Sequence, residues 1–458
     1  MRHSLAPLAV ALAAALALAA CGRKESAEPA NTIAAPAAAV AAKESLSYDE
    51  AVARAKARQA PLIVDFHAPW CYSCYFMATN VLTGPEWQAV EKKAVVVEVD
   101  ADSPEGAALR AKYGVKMLPS YLVLNTAGEE LGRILGEQTR AEFYPQLDKF
   151  LDAGMPLTAV AAQVRDGSPA SLQAGRTVLK SWLARYDGDG GLQWFASLPA
   201  AARGALEKDS AAALLLARLK FLQARKAGDE QAALSLGRQV LAGDLGCERS
   251  YELDPYLELA RKQADAKALI AAQQPAAEKL VADGVFGAAP CADKRSAVLV
   301  LADIHEALGD KAAKQALLEK AIADVEKSIG GDFRKDRNLD DNLRIYDDQL
   351  AALTGDYAAY DALMPKLIAA WPDDYVYAYR WGKSLLARGK TAEALTQLER
   401  AAGKAYGINR LQVAEQRVKA LQAQQRDADA RRVAAETLKA NGPWFPEEAA
   451  RLKDLVKA

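Results

Sequence analysis

Two cysteines separated by two residues, Cys71 and Cys74, constrain this chain more than any other feature. They follow a short apolar run, Leu62–Phe66, that reads as a buried strand. A helical pattern continues from them to about Val81. A Cys-x-x-Cys at such a junction lies at the start of a helix. Unpaired backbone N–H groups and the positive end of the helix dipole gather there. Both stabilise a thiolate, so Cys71 is the expected nucleophile. Cys74, one turn further in, is placed to attack a mixed disulfide and release the product. The bland alternative is a static structural disulfide. Zinc would call for a second Cys-x-x-Cys, and the sequence has none.

The surrounding elements alternate between helix and strand. Ser47 to Glu50 has the form of a capping box, opening a helix that runs to about Gln59. Further helices are expected over 86–93, 107–113 and 140–151, and strands over 95–100, 120–124 and 131–135. The last two strands form a hairpin about the turn 125–128. With Asp65-Phe66, Ala68-Pro69-Trp70-Cys71, Leu118-Pro119-Ser120 and Gly128, residues 46–152 resemble a thioredoxin-like domain. The stretch from Cys74 to Gln88 looks most like the C-terminal domain of the DsbD reductase and its relatives.

The resemblance implies dithiol–disulfide exchange with no bound cofactor, the dithiol being the redox centre. It makes Asp65 a buried carboxylate that assists proton transfer from the resolving thiol. The lysine that usually partners it is missing, because the facing strand reads Val96-Val97-Glu98-Val99. Pro119 matches the family's cis-proline, and Leu118 supplies backbone for pairing with a substrate peptide. Trp70 is shared between packing and substrate contact. His67 replaces the aromatic residue common at its position. Tyr72 and Ser73 set the redox poise. Neither is the histidine of strong oxidants, which leans the reading towards a reductase.

From about Pro156 the strands vanish and apolar spacing becomes helical. Gly355, Gly389 and Ala423 are 34 residues apart, with Gly382, Ala394 and Ala401 at fixed offsets around the second. This period resembles tetratricopeptide repeats, two helices per unit. Residues 155–458 are therefore read as an all-α helical-repeat domain, clearest over about 341–440. Hairpin character extends back to the stretches around Gly309 and Gly228. Such an array offers a groove for a substrate or partner protein. Trp371, Tyr375, Tyr377, Tyr379 and Trp381 form an aromatic patch, with core packing and binding both open. The segment 327–344 mixes both charge signs and reads as a solvated face or loop.

At the other end, an apolar stretch from Leu5 to Ala20 follows Arg2 and His3. It is shorter than the roughly 20 residues of a membrane span. Its end, Leu18-Ala19-Ala20-Cys21, resembles the bacterial lipoprotein signal. That resemblance implies removal of residues 1–20, lipid on Cys21, and residues 21–45 as an Ala/Pro-rich tether. Gly22 in place of Asp favours the outer membrane over the inner. Four cysteines then remain for an oxidising compartment. Cys247 and Cys291 are left as a candidate structural disulfide, the alternative being two buried thiols.

The 58 basic and 59 acidic residues nearly cancel, so nucleic-acid binding is not expected. The whole reads as a lipid-anchored, periplasm-facing thiol-disulfide oxidoreductase. It would reduce protein disulfides, take electrons from an upstream membrane donor and hold a partner protein on its helices. The rivals are a scaffold or chaperone that only binds, and an oxidase or isomerase.

Overall fold

A computed structural model describes residues 46–457. The proposed signal segment 1–20, Cys21 and the whole of the proposed tether lie outside the described residues. Among the described residues no helix is long and apolar enough to cross a membrane.

The first part is built on strands β1 (Leu62–His67), β2 (Val95–Asp100), β3 (Ser120–Leu124) and β4 (Glu130–Leu135). Their order is β2-β1-β3-β4, with β1 and β2 parallel and the other pairs antiparallel. The helices are α1 (Tyr48–Arg58), α2 (Tyr72–Phe76), α3 (Gly84–Lys93), α4 (Pro104–Tyr113) and α5 (Arg140–Ala153). A π-helical turn, Met77–Val81, prolongs α2 as far as the sequence suggested.

Central β1 shows no polar alternation because both of its faces are covered. Val64 and Phe66 pack with Val97 and Leu122 towards α1 and α4. Ile63 packs with Met77, Tyr121 and Phe143 on the opposite face. Strand β2 alternates, with Val97 and Val99 buried and Glu98 exposed. Helix α1 carries the capping box: Ser47 Oγ accepts from the Glu50 N–H, and Glu50 accepts from the Ser47 N–H. This is the α/β thioredoxin fold.

The rest of the described chain is helical and runs largely as antiparallel pairs. Arg337–Thr354 pairs with Ala358–Ala370, Tyr375–Ala387 with Thr391–Ala402, and Ile408–Ala423 with Asp427–Asn441. The 34-residue spacing has a backbone cause. Gly355 and Gly389 end the first helix of their pairs at φ 78° and 75°, where a side chain would be strained. In the third pair Gln425 takes that conformation, two residues beyond Ala423. Gly382 serves close approach, since a Cβ there would lie 2.7 Å from Leu398 Cγ.

The segment 327–344 is a solvated loop only in its first half: 327–335 is mostly exposed and carries a turn, whereas the second half enters a helix and the interior. Within the helix Arg337–Thr354, Asn338, Asp341, Asn342 and Arg344 are buried. The mixed charges are matched to partners on other helices: Asp341 pairs with both Arg295 and Arg380. The aromatic patch is mostly interior, with Tyr375 and Tyr377 buried and Trp371, Tyr379 and Trp381 packed beside them.

Cys247 and Cys291 are joined by a disulfide, with Cα atoms 5.7 Å apart. It ties the turn before the helix Arg249–Ala260 to the segment after Gln274–Gly284. The two positions are 44 residues apart in sequence. Closing a loop of that size restricts the unfolded chain. Replacing both cysteines by serine is expected to cost about 2–4 kcal/mol in urea denaturation. Disulfide exchange at Cys71–Cys74 should be unaffected, as measured with a dithiol buffer.

Candidate active site

Cys71 is the N-cap of α2, in extended conformation, and is disulfide-bonded to Cys74 with Cα atoms 5.1 Å apart. The Cys74 N–H donates to Cys71 Sγ at 3.1 Å. The sequence argument placed a backbone donor at that sulfur, and this bond supplies it. Ala68, Cys71 and Cys74 form a small buried cluster flanked by Trp70 and Leu118. The Leu118–Pro119 peptide bond is cis. The cysteines are only 7% and 8% exposed, so the disulfide sits in an enclosed setting.

The helical array packs beside this cluster. Helix Arg337–Thr354 packs against α2. The Tyr72 side chain enters the array's aromatic cluster, and its hydroxyl donates to Asp374 Oδ2 at 2.6 Å. Burial holds that phenol well above its usual pKa, so it is a neutral donor. Trp70 Nε1–H donates to Asp102 Oδ2 at 2.7 Å, and Asn409 Nδ2 donates to the same oxygen at 3.3 Å. Gly407 lies so close to Asp102 that a Cβ would overlap its side chain. Desolvation pushes the Asp102 carboxyl up to about 6, against the opposing hydrogen bond from Trp70.

On the other flank, Glu137 accepts from Asn338 Nδ2 at 2.9 Å, with the Ser73 side chain nearby. Desolvation, and next the nearby Asp293, push its carboxyl up to about 7. The Tyr186 hydroxyl reaches Met117 Sδ at 3.2 Å, next to Leu118.

These features agree with what known proteins show. A family model described as thioredoxin-like matches residues 42–126. The thiol:disulfide interchange protein DsbD of Neisseria meningitidis is 34% identical over 94 residues, 20% of this chain and 14% of DsbD. The match therefore spans about a seventh of that relative's length. Thioredoxin 1 of a Nostoc species is 30% identical over 20% of this chain and 80% of its own. The chain belongs to the thioredoxin-like family.

A tetratricopeptide repeat protein of Parabacteroides merdae aligns with 63% of this chain and 99% of its own, at 16% identity and a TM-score of 0.38.

In this thioredoxin-like chain the carboxylate expected at Asp65 is buried on β1, with Oδ1 unpartnered. Its register neighbour on β2 is Glu98. The residue facing it is thus a second carboxylate where a lysine is usual. Desolvation, then Glu98, hold the Asp65 carboxyl well above the ordinary range. His67 ends β1 and its carbonyl accepts from the Ala101 N–H. Asp102, Glu137, Asn338 and Asp374 were not singled out from the sequence. Each meets the redox face only through the tertiary fold.

The Asp65 shift fixes the sign of a pH effect. A carboxyl with a raised folded-state pKa keeps its proton better folded than unfolded. Its stabilising contribution is full below the unfolded value of about 3.9 and is lost as pH rises through the folded value. Asp65→Asn should therefore leave stability nearly unchanged at pH 4. At pH 8 it should stabilise, because the native carboxyl is driven to ionise there while the amide has no proton to lose. Urea denaturation of the oxidised protein at both pH values checks this. An equal difference at both would show that Asp65 ionises as an ordinary carboxylate.

Proposed function

We propose that this chain is a membrane-tethered periplasmic thiol-disulfide oxidoreductase that reduces protein disulfides through Cys71 and Cys74. The observation that carries the reading is the Cys71–Cys74 pair at the start of α2, with the Cys74 N–H on Cys71 Sγ. Membrane attachment rests on the Cys21 motif, and the periplasm on that motif together with the cysteine usage. The helical array would present substrates or bind a partner protein. A membrane donor would supply electrons.

The reaction balances without a cofactor. The Cys71 thiolate attacks one sulfur of a substrate disulfide. The substrate S–S bond breaks, a mixed disulfide forms and one substrate thiolate leaves. Cys74 gives up its proton and attacks Cys71 Sγ. The second substrate thiolate leaves, and Cys71–Cys74 is oxidised. Two electrons pass to the substrate, and its two thiolates take up protons. Asp65 is the group assigned to accept the Cys74 proton. Leu118 and Pro119 are assigned to hold the substrate backbone, with Trp70 beside them.

The test is equilibration of the full chain with dithiol buffers of graded potential. A value near about −270 mV supports a reductase, and one near about −120 mV reverses the direction. Cys71→Ser should abolish exchange. Cys74→Ser should accumulate a mixed disulfide with a peptide substrate. No reversible exchange in the native chain would leave a binding scaffold as the reading.

A further inference from the structure

The first of the two residues between the cysteines, Tyr72, is held from outside the thioredoxin fold. Tyr72 is 7% exposed and lies in a pocket of the array. Its ring meets Tyr377 edge-on at 6.5 Å, and the Arg337 and Arg380 guanidinium groups lie 5.4 and 5.8 Å from its centre. Its hydroxyl ends on Asp374.

That carboxylate is itself fixed. Asp374 caps the helix Tyr375–Ala387, its Oδ1 accepting from the Val376 N–H at 2.9 Å. Its Oδ2 also pairs with Arg337. Nearby, Glu137 of the thioredoxin part accepts from Asn338 Nδ2 at 2.9 Å. Asn338 is 2% exposed and belongs to the helix that packs on α2.

We propose that the helical array is part of the redox site: Asp374 is a positioning residue that holds Tyr72 and, through it, sets the equilibrium between the Cys71–Cys74 disulfide and its dithiol. This rests on the exchange reading above. Breaking the S–S bond moves two sulfurs from bonded to non-bonded distance. The four-residue turn that carries them must relax. A turn clamped at Tyr72 in the disulfide geometry resists that relaxation and favours the oxidised form. Releasing the clamp makes the pair easier to reduce.

The experiment is the equilibrium constant of the full chain against a dithiothreitol buffer, with the rate of Cys71 alkylation in the reduced form. Tyr72→Phe removes only the hydroxyl. It should shift the constant about tenfold towards the dithiol, which is about 30 mV for a two-electron couple. Asp374→Ala should do the same, whereas Asp374→Asn, which keeps an acceptor, should stay within twofold of the native chain. The double variant Tyr72→Phe with Asp374→Ala should shift no further than either alone, because both act through one bond.

A packing role alone would lower the melting temperature and leave the constant unmoved. Should Asp374→Ala fail to fold, Tyr72→Phe decides. An unchanged constant and alkylation rate in Tyr72→Phe, with the native chain exchanging normally, overturns this inference alone. A native chain that does not exchange overturns both it and the proposed function.

Discussion

A buried carboxylate keeps its charge only where donors or cations meet it, and this requirement governs how the sheet and the helices fit together. Asp341, fully buried, is met by Arg295 and Arg380. Asp374 is met by Arg337, the Tyr72 hydroxyl and the Val376 N–H. Asp102 is met by Trp70 from one side and Asn409 from the other. Glu130 on β4 is met by Arg133 of its own strand and by Arg185 from the array. In the last three cases the partners come from both parts of the molecule. Separating the parts would leave charges half-matched, so the polar contacts fix an orientation that apolar packing alone would leave loose.

The apolar contribution is concentrated on two side chains. Tyr72 and Trp70 flank Cys71 and both join the array's aromatic cluster. Aromatic rings bury much surface and still offer a polar tip. Each tip here ends on a carboxylate, Asp374 for one and Asp102 for the other. The residues beside the nucleophile therefore anchor the junction. This explains why the aromatic patch between Trp371 and Trp381 is interior although its spacing left binding open. Part of what it packs against lies some 300 residues away in sequence.

That distance also separates what the sequence discloses from what it conceals. The strands, the capping box at Ser47, the helix start at Cys71 and the helical pairs with Gly355 and Gly389 follow from local rules, and the sequence shows them. So does the place of Asp65 in an apolar strand, and the substitution of Glu98 for the usual lysine. The junction does not. Asp102 and Asn409 are 307 positions apart, and Glu137 and Asn338 are 201. The charged stretch around Arg337 resembles a solvated surface because pairing with Asp374 or Arg295 leaves no mark on local composition. Periodicity reports which face of an element is apolar. It does not report which polar residue on another element completes a buried charge.

Coupling between the redox pair and the array runs both ways. If the array's grip on Tyr72 changes the free energy between disulfide and dithiol, the state of the dithiol changes the free energy of that grip by the same amount. A tenfold shift in the redox equilibrium corresponds to about 1.4 kcal/mol. That is small beside the roughly 3–5 kcal/mol that stripping a buried charge of its partner costs, so reduction alone would loosen the contact without detaching the array. The coupling therefore belongs to a site shared between two folded parts. The thioredoxin fold supplies the sulfurs and the helix end. The helices supply the groups that hold the turn between them.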